Sequence, residues 1–376
     1  MAGSIVAKGE RTWLVRVFMR RDAAGKQVFH NHTVHGTKKD AQAYLNAVLR
    51  DRDLGTFVEP GKDTLGEYLD RWLADAAKPK VREHAFRDYT SLLARYVRPA
   101  LGDRRLRDLT PLDVQGLYTG MLERGLSART VRYTHAVLRQ ALGQAVRWGM
   151  LARNVATLVD LPRQERAEMH ALSQEEAARF LAVAQDDRWG VLFAFALTTG
   201  MRPGEYLALR WEDVDLRAGT ARVTRALVRG KDGYRFEEPK TAKSRRTVPL
   251  PASTAKALVL HRVQQAEARL RAGERWQDHG LVFAGDDGQP LDAHNLVARH
   301  FKPVLKAAGL PSTVRLYDLR HTCATLLLLA GTHPKVVAER LGHASVTLTL
   351  DTYSHVLPTM QEEAAGRLEA MLYGTR

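Results

Sequence analysis

The hydrophobic rhythm of this chain changes near residue 56, and that change limits the architectures open to it. Across residues 3–35, short runs rich in Val, Phe, Trp and Thr are separated by turn signals at Gly9-Glu10 and Asp22-Ala-Ala-Gly25. In the middle run Trp13, Val15, Val17 and Met19 share one strand face, while Leu14, Arg16, Phe18 and Arg20 share the other. A helix from Lys38 to about Asp53, with Ala41, Tyr44, Leu45 and Val48 at helical spacing, can cover the apolar face. A three-stranded sheet of this size can lay its other face, with Arg16 and Arg20, in a DNA major groove; the alternative is that both arginines are simply solvated.

From residue 64 the pattern turns helical. Thr64-Leu-Gly-Glu67 is a capping box followed by Leu65, Tyr68, Leu69 and Trp72 at helical spacing. Further helices are expected from about Arg82 to Val97, from Thr110-Pro111 with its early acid Asp113, and from Ser127 to about Trp148. The last buries Val131, Leu138, Leu142 and Ala145. Its remaining positions include Arg129, Arg132, Arg139 and Arg147, a basic surface suited to DNA backbone. Pro60-Gly61 and Leu161-Pro162-Arg163 mark linkers at 56–63 and 161–169. Three segments result: 1–55, 64–160 and 170–376. The expected fold class is multidomain, mainly α with small β-sheets: a three-stranded sheet plus helix, a helical bundle, and a mixed α+β domain.

Charge sorts these segments. The chain carries a net +15. Residues 1–60 hold 10 Lys/Arg against 6 Asp/Glu (net +4), residues 61–163 hold 18 against 11 (net +7), and the rest 29 against 25 (net +4). An anionic partner is implied, and the basic excess comes first. This reads as DNA-gripping modules ahead of a catalytic domain. No window approaches the roughly 18 apolar residues of a membrane span, and no basic-then-apolar leader opens the chain, so the expectation is a cytoplasmic, nucleoid-associated protein without membrane contact. The single cysteine, Cys323, can make no intrachain disulfide and reads as a small core residue.

Chemistry concentrates in the last segment. Arg315-Leu-Tyr317-Asp-Leu-Arg320-His321-Thr322 is followed by Leu341-Gly-His343 and by Asp351-Thr-Tyr353-Ser-His355. Arginine grips phosphate oxygens with a fixed fork, and tyrosine can form a covalent intermediate. Together they imply attack on a phosphodiester without a metal. Upstream, Arg202 sits in Thr198-Thr-Gly-Met-Arg202-Pro-Gly-Glu205, just after a glycine turn and before a proline-started helix. Strands are expected at 220–228 and 234–238, and Lys240 and Lys243 fall in the hairpin that follows, within reach of a bound strand. His321, His333, His343 and His355 are spaced 12, 10 and 12 apart without a short paired ligand motif, so no metal or other cofactor is expected.

The order Arg202, Lys240, Tyr317-Asp-Leu-Arg320-His321-Thr, Leu341-Gly-His343, Tyr353 resembles the tyrosine recombinase, or phage integrase, family. The resemblance implies an arm-site DNA-binding domain at 1–55, a helical core-site-binding domain at 64–160 and a catalytic domain at 170–376. It implies Arg202 and Arg320 as phosphate-binding arginines, Lys240 as the hairpin lysine, His343 at the second histidine position and Tyr353 as nucleophile. Tyr317 departs from the pattern by standing where the family usually has histidine. It can donate a hydrogen bond but is no base near neutral pH. His321 reads as structural.

The implied activity is site-specific cleavage and rejoining of DNA through a 3′-phosphotyrosine link, integrating or excising a mobile element. Expected partners are double-stranded attachment sites, three further copies of the chain in a tetramer on DNA, and an accessory bending or directionality factor. Two alternatives stand beside it. A non-catalytic DNA-binding or architectural protein fits the charge but leaves Arg202, Lys240, Arg320 and Tyr353 unexplained together. A type IB topoisomerase-like enzyme shares the chemistry without pairing two duplexes. The tail, 359–373, has Met360, Ala364, Leu368 and Met371 on one helical face, and the resemblance implies docking on a neighbouring copy.

Overall fold

The computed structural model describes residues 3–21, 24–53, 57, 61–164, 170–230, 233–238, 244–353 and 359–374. They form two compact units, 1–166 and 167–376.

The first unit begins with an antiparallel sheet, β1 (Gly3–Gly9), β2 (Thr12–Arg21) and β3 (Gln27–His35), in that spatial order. Alternation fixes its faces. Val15 and Val17 are wholly buried against α1 (Lys38–Asp53), which contributes Ala41, Leu45 and Val48. Arg16 is exposed on the opposite face, its guanidinium 3.9 Å from the centre of the Phe29 ring. A bulge between Phe18 and Arg20 breaks the expected alternation: Arg20 pairs with Val28, so it is exposed but does not share the face of Arg16.

A second core in this unit belongs to helices alone: α2 (Leu65–Trp72), α3 (Glu83–Leu92), α4 (Arg98–Leu101), α5 (Pro111–Glu123) and α6 (Ala128–Arg147). Thr64 with Glu67, and Thr110 with Asp113, close reciprocal capping boxes, so the helices start where side chains satisfy their orphan N–H groups. The helix expected to end near Val97 instead passes through a five-residue π turn, Leu93–Val97, into α4. Pro99 follows directly on the π turn, in the first turn of α4. Trp72 and Tyr68 fill the centre, and Tyr68 Oη donates to the Ala141 carbonyl at 2.6 Å. Each such buried side chain contributes about 1.5–3 kcal/mol of apolar transfer.

The second unit is built around α8 (Gly190–Thr199), apolar on all sides and therefore central. It follows α7 (Gln174–Ala184), which Ser173 and Glu176 cap as a box, and precedes α9 (Pro203–Tyr206). The run 220–228 is two strands, not one. β4 (Val214–Asp215), β5 (Thr220–Val223) and β8 (Arg246–Pro249) form one small antiparallel sheet, while β6 (Ala226–Gly230) pairs with β7 (Gly233–Glu237). The break has a cause. Buried Asp213 accepts hydrogen bonds from Thr224 Oγ1 at 3.1 Å and Arg225 Nη1 at 2.6 Å, which turns those two residues out of strand pairing.

The frame is completed by α10 (Ala252–Ala272), α11 (Ala293–Leu296), α12 (Lys302–Ala307), α13 (Asp318–Leu329), α14 (Pro334–Leu341), α15 (Val346–Tyr353) and α16 (Thr359–Tyr373). α8 packs against α7, α10 and α13. No helix among the described residues is long and apolar enough to cross a membrane.

Candidate active site

Two left-handed glycines set the site's geometry. Gly200 ends α8 at φ 65°, and Gly342 ends α14 at φ 67°. A Cβ on Gly200 would come within 2.7 Å of Leu341 Cδ2 and 3.1 Å of Cys323 Sγ, so the ends of α8 and α14 and the middle of α13 close on that point. Buried Cys323 is part of this packing.

Arg202, two residues beyond Gly200, is half-buried. It donates from Nη1 to Glu205 Oε1 at 2.7 Å and from Nη2 to the Gly342 carbonyl at 3.4 Å. Arg320, on the first turn of α13, is 1% exposed. Its Nη1 donates to the Gly200 carbonyl at 2.8 Å, while its Nη2 is buried with no partner among the described residues. Burial, and then the facing Arg202 charge, push the Arg320 pKa down to about 10, so it stays cationic at neutral pH. A second guanidinium beside one that keeps a donor without a partner among the described residues forms a site for an anion.

His343 follows Gly342. Its Nδ1 lies 2.7 Å from Thr349 Oγ1, which fixes the ring and leaves Nε2. Burial first, then Arg320 and Arg202, push its pKa down to about 4, so the imidazole is neutral. Tyr353 ends α15 and is fully buried among Ala324, Leu328, Val337 and Leu341. Its hydroxyl lies 2.9 Å from His321 Nδ1. Burial raises the phenol pKa, and the Arg320 charge opposes that rise. Tyr317 is 38% exposed at the N-terminus of α13, edge-on to His321 with ring centres 5.1 Å apart. The structure therefore gathers Arg202, Arg320, His343, Tyr353 and Tyr317. Lys240 and Lys243 lie outside the described residues.

Arg16, Arg20, Arg129, Arg132 and Arg139 belong to the first unit, all exposed. Arg132 also donates to the Pro162 carbonyl at 3.1 Å.

Reading the chain alone overlooked two groups and set one aside. Glu205, 6% exposed, accepts from both Arg202 and Arg246, and Arg246 also donates to the Arg340 carbonyl at 2.6 Å. His321, read as structural, touches the Tyr353 hydroxyl. The only available signals were position: Glu205 lies three residues after Arg202, and His321 directly follows Arg320.

The chain has relatives of known family. The model of the phage integrase family matches residues 170–360, and that of the phage integrase N-terminal SAM-like domain matches residues 64–122. A tyrosine recombinase XerC-like protein of Caldanaerobacter subterraneus subsp. tengcongensis is 30% identical over 382 residues, covering 96% of this chain and 97% of its own. The chain belongs to the phage integrase family of tyrosine recombinases. Its fold is similar to that of the Tn1549 transposon integrase in complex with a circular intermediate DNA (TM-score 0.69, 21% identity, 82% of this chain and 100% of that one). It is also similar to lambda integrase, solved as a tetramer bound to a Holliday junction (TM-score 0.58, 18% identity, 91% and 96%).

Proposed function

We propose that this recombinase joins two defined DNA sites by cutting each strand with Tyr353. The buried Arg320 Nη2, without a partner among the described residues and beside Arg202, carries the reading, because it is an interior cationic donor that an incoming phosphate would satisfy. The two guanidinium groups stabilise the charge that builds on the non-bridging oxygens. Tyr353 Oη attacks phosphorus and the 5′-oxygen leaves, yielding a 3′-phosphotyrosine link. Lys240 protonates the departing oxygen, and His343 Nε2 and the Tyr317 hydroxyl hydrogen-bond the phosphate. The link conserves the phosphodiester's energy, so the 5′-hydroxyl of a second duplex can reverse the step and exchange strands.

Residues 1–55 would bind arm sites through Arg16 and Arg20, residues 64–160 core sites through Arg129, Arg132 and Arg139, and residues 170–376 the scissile strand, with Lys243 as a backbone contact. The partners are attachment-site DNA, three more copies of the chain and an accessory bending or directionality factor, in the cytoplasm. The tetramer is supported by the lambda integrase assembly on a Holliday junction. Exposed Leu368, Met371 and Leu372 on α16 also support it, being available for a neighbouring copy.

The test uses attachment sites recovered from the DNA flanking the gene. Wild type should form a covalent adduct and recombined products, and Tyr353→Phe should bind the sites without either. Adducts without joined duplexes would assign a nicking-closing enzyme instead. Binding with no adduct from wild type would assign an architectural protein.

A further inference from the structure

Tyr353 is fully buried, and its hydroxyl meets His321 Nδ1, 2.9 Å away. The ring centres lie 5.9 Å apart. A buried phenol needs a hydrogen-bond partner, and this one comes from α13, the helix that carries Arg320 one residue earlier. The phosphate-binding arginine and the nucleophile's partner thus sit on one turn. Tyr317, edge-on to His321 and far more exposed than Tyr353, borders this contact.

Resting on the assignment of Tyr353 as nucleophile, we propose that His321 is a further catalytic residue, whose Nδ1 accepts the phenolic proton as Tyr353 attacks. The balance is complete. The Tyr353 Oη–P bond forms and the P–O5′ bond breaks. The phenolic proton passes to His321 Nδ1, and Lys240 supplies the proton taken by the leaving oxygen. The acceptor must be neutral beforehand and hold its own proton on Nε2. Burial meets the first condition by lowering the His321 pKa to about 4, with Asp318 opposing and Arg320 and Arg315 reinforcing that shift. Prior ionisation of the phenol is not needed, because the proton becomes strongly acidic only as the oxygen bonds to phosphorus. The bound phosphate also offsets the Arg320 charge, which favours the protonated imidazole at that moment.

The experiment measures single-turnover adduct formation on a nicked attachment-site duplex that releases its cleaved fragment. His321→Phe should slow adduct formation by roughly 10²-fold with DNA binding unchanged. His321→Asn and His321→Gln carry amides that can hydrogen-bond the phenol but cannot take its proton, so both should stay slow. A second substrate carries sulfur at the 5′-bridging position, so its leaving group needs no acid. Lys240→Ala should regain rate on it, and His321→Phe should stay slow. Should His321→Phe fail to fold, the Asn and Gln pair decides alone. Adduct formation by His321→Phe at or above the wild-type rate would overturn the proposal and leave the contact a latch. So would recovery on the sulfur substrate, or a near wild-type rate for either amide variant. If wild type and Tyr353→Phe behave alike, the nucleophile assignment fails, whatever position 321 does.

Discussion

Glu205 and Arg246 form a two-point ion pair in the interior of the catalytic unit: Oε2 accepts from Nη2 at 2.8 Å and Oε1 from Nη1 at 3.3 Å. Their side chains are 6% and 7% exposed. Because Glu205 also holds Arg202, and Arg246 holds the Arg340 carbonyl, one carboxylate ties α9, β8 and the end of α14 together. Removing it strands a buried guanidinium. Glu205→Ala should cost about 3–5 kcal/mol, read as a lowered urea midpoint at unchanged slope. A loss under about 1 kcal/mol would show that the network relaxes freely.

Gly200 tests the turn that presents Arg202. Alanine there must adopt a φ of 65° and place Cβ 2.7 Å from Leu341 Cδ2. The expected destabilisation is about 1–3 kcal/mol from backbone strain, with steric cost added. Adduct formation should fall more than DNA affinity does, because the displaced group is the arginine proposed to grip the scissile phosphate. Parallel loss of both, measured by adduct assay and gel shift, would disprove that link.

Acid should weaken the fold in two stages. His321 and His343 are held near pKa 4 in the folded chain, below the usual histidine value of about 6.5. Between those values the unfolded chain binds more protons, so the stability these rings contribute is present above pH 6.5 and is lost as pH falls toward 4. Glu205 acts lower. Burial would raise its pKa, but hydrogen bonding and charge from Arg246, with Arg202, more than offset this and lower it. Its contribution is present above the unfolded carboxylate value and disappears as pH falls below that. Thermal melts across the range from neutral to strongly acidic pH should show both stages, and His343→Asn should flatten the first. An unchanged slope in that variant would contradict the shift at His343.

Arg129, Arg132 and Arg139 fall within about 80° of one face of α6. All three are exposed, and none forms an ion pair with an acid among the described residues. Replacing Arg129 and Arg139 with glutamine should weaken DNA binding and reduce the log–log salt slope by about one for each phosphate no longer neutralised. Arg132 is left intact because it also braces Pro162. An unchanged slope in binding isotherms at several salt concentrations would place the DNA elsewhere.

Local punctuation made much of this protein readable from its chain. Capping pairs such as Thr64 with Glu67 and Ser173 with Glu176 act within one turn, so spacing alone locates those helix starts. Alternation in β2 likewise separates Val15 and Val17 from Arg16, because a strand's period of two is independent of its partners. The turn at Gly200 before Arg202 is local in the same sense.

Contacts between distant segments were decided only by the tertiary fold. Arg246 reaches Glu205 across 41 positions, and His321 reaches Tyr353 across 32. Their partners are chosen by how α8, α13 and α14 close on Gly200, a packing outcome that no residue spacing encodes. The break at Thr224-Arg225 is similar, since the side chains look strand-compatible until buried Asp213 claims them. Sequence alone thus determined the elements, the basic first half and a family-specific order of Arg, Lys, His and Tyr. Tertiary structure decided that Tyr353 is buried against a histidine and that Arg320 keeps a donor unmet among the described residues. Both follow from desolvation, which exists only once the chain has folded around these groups.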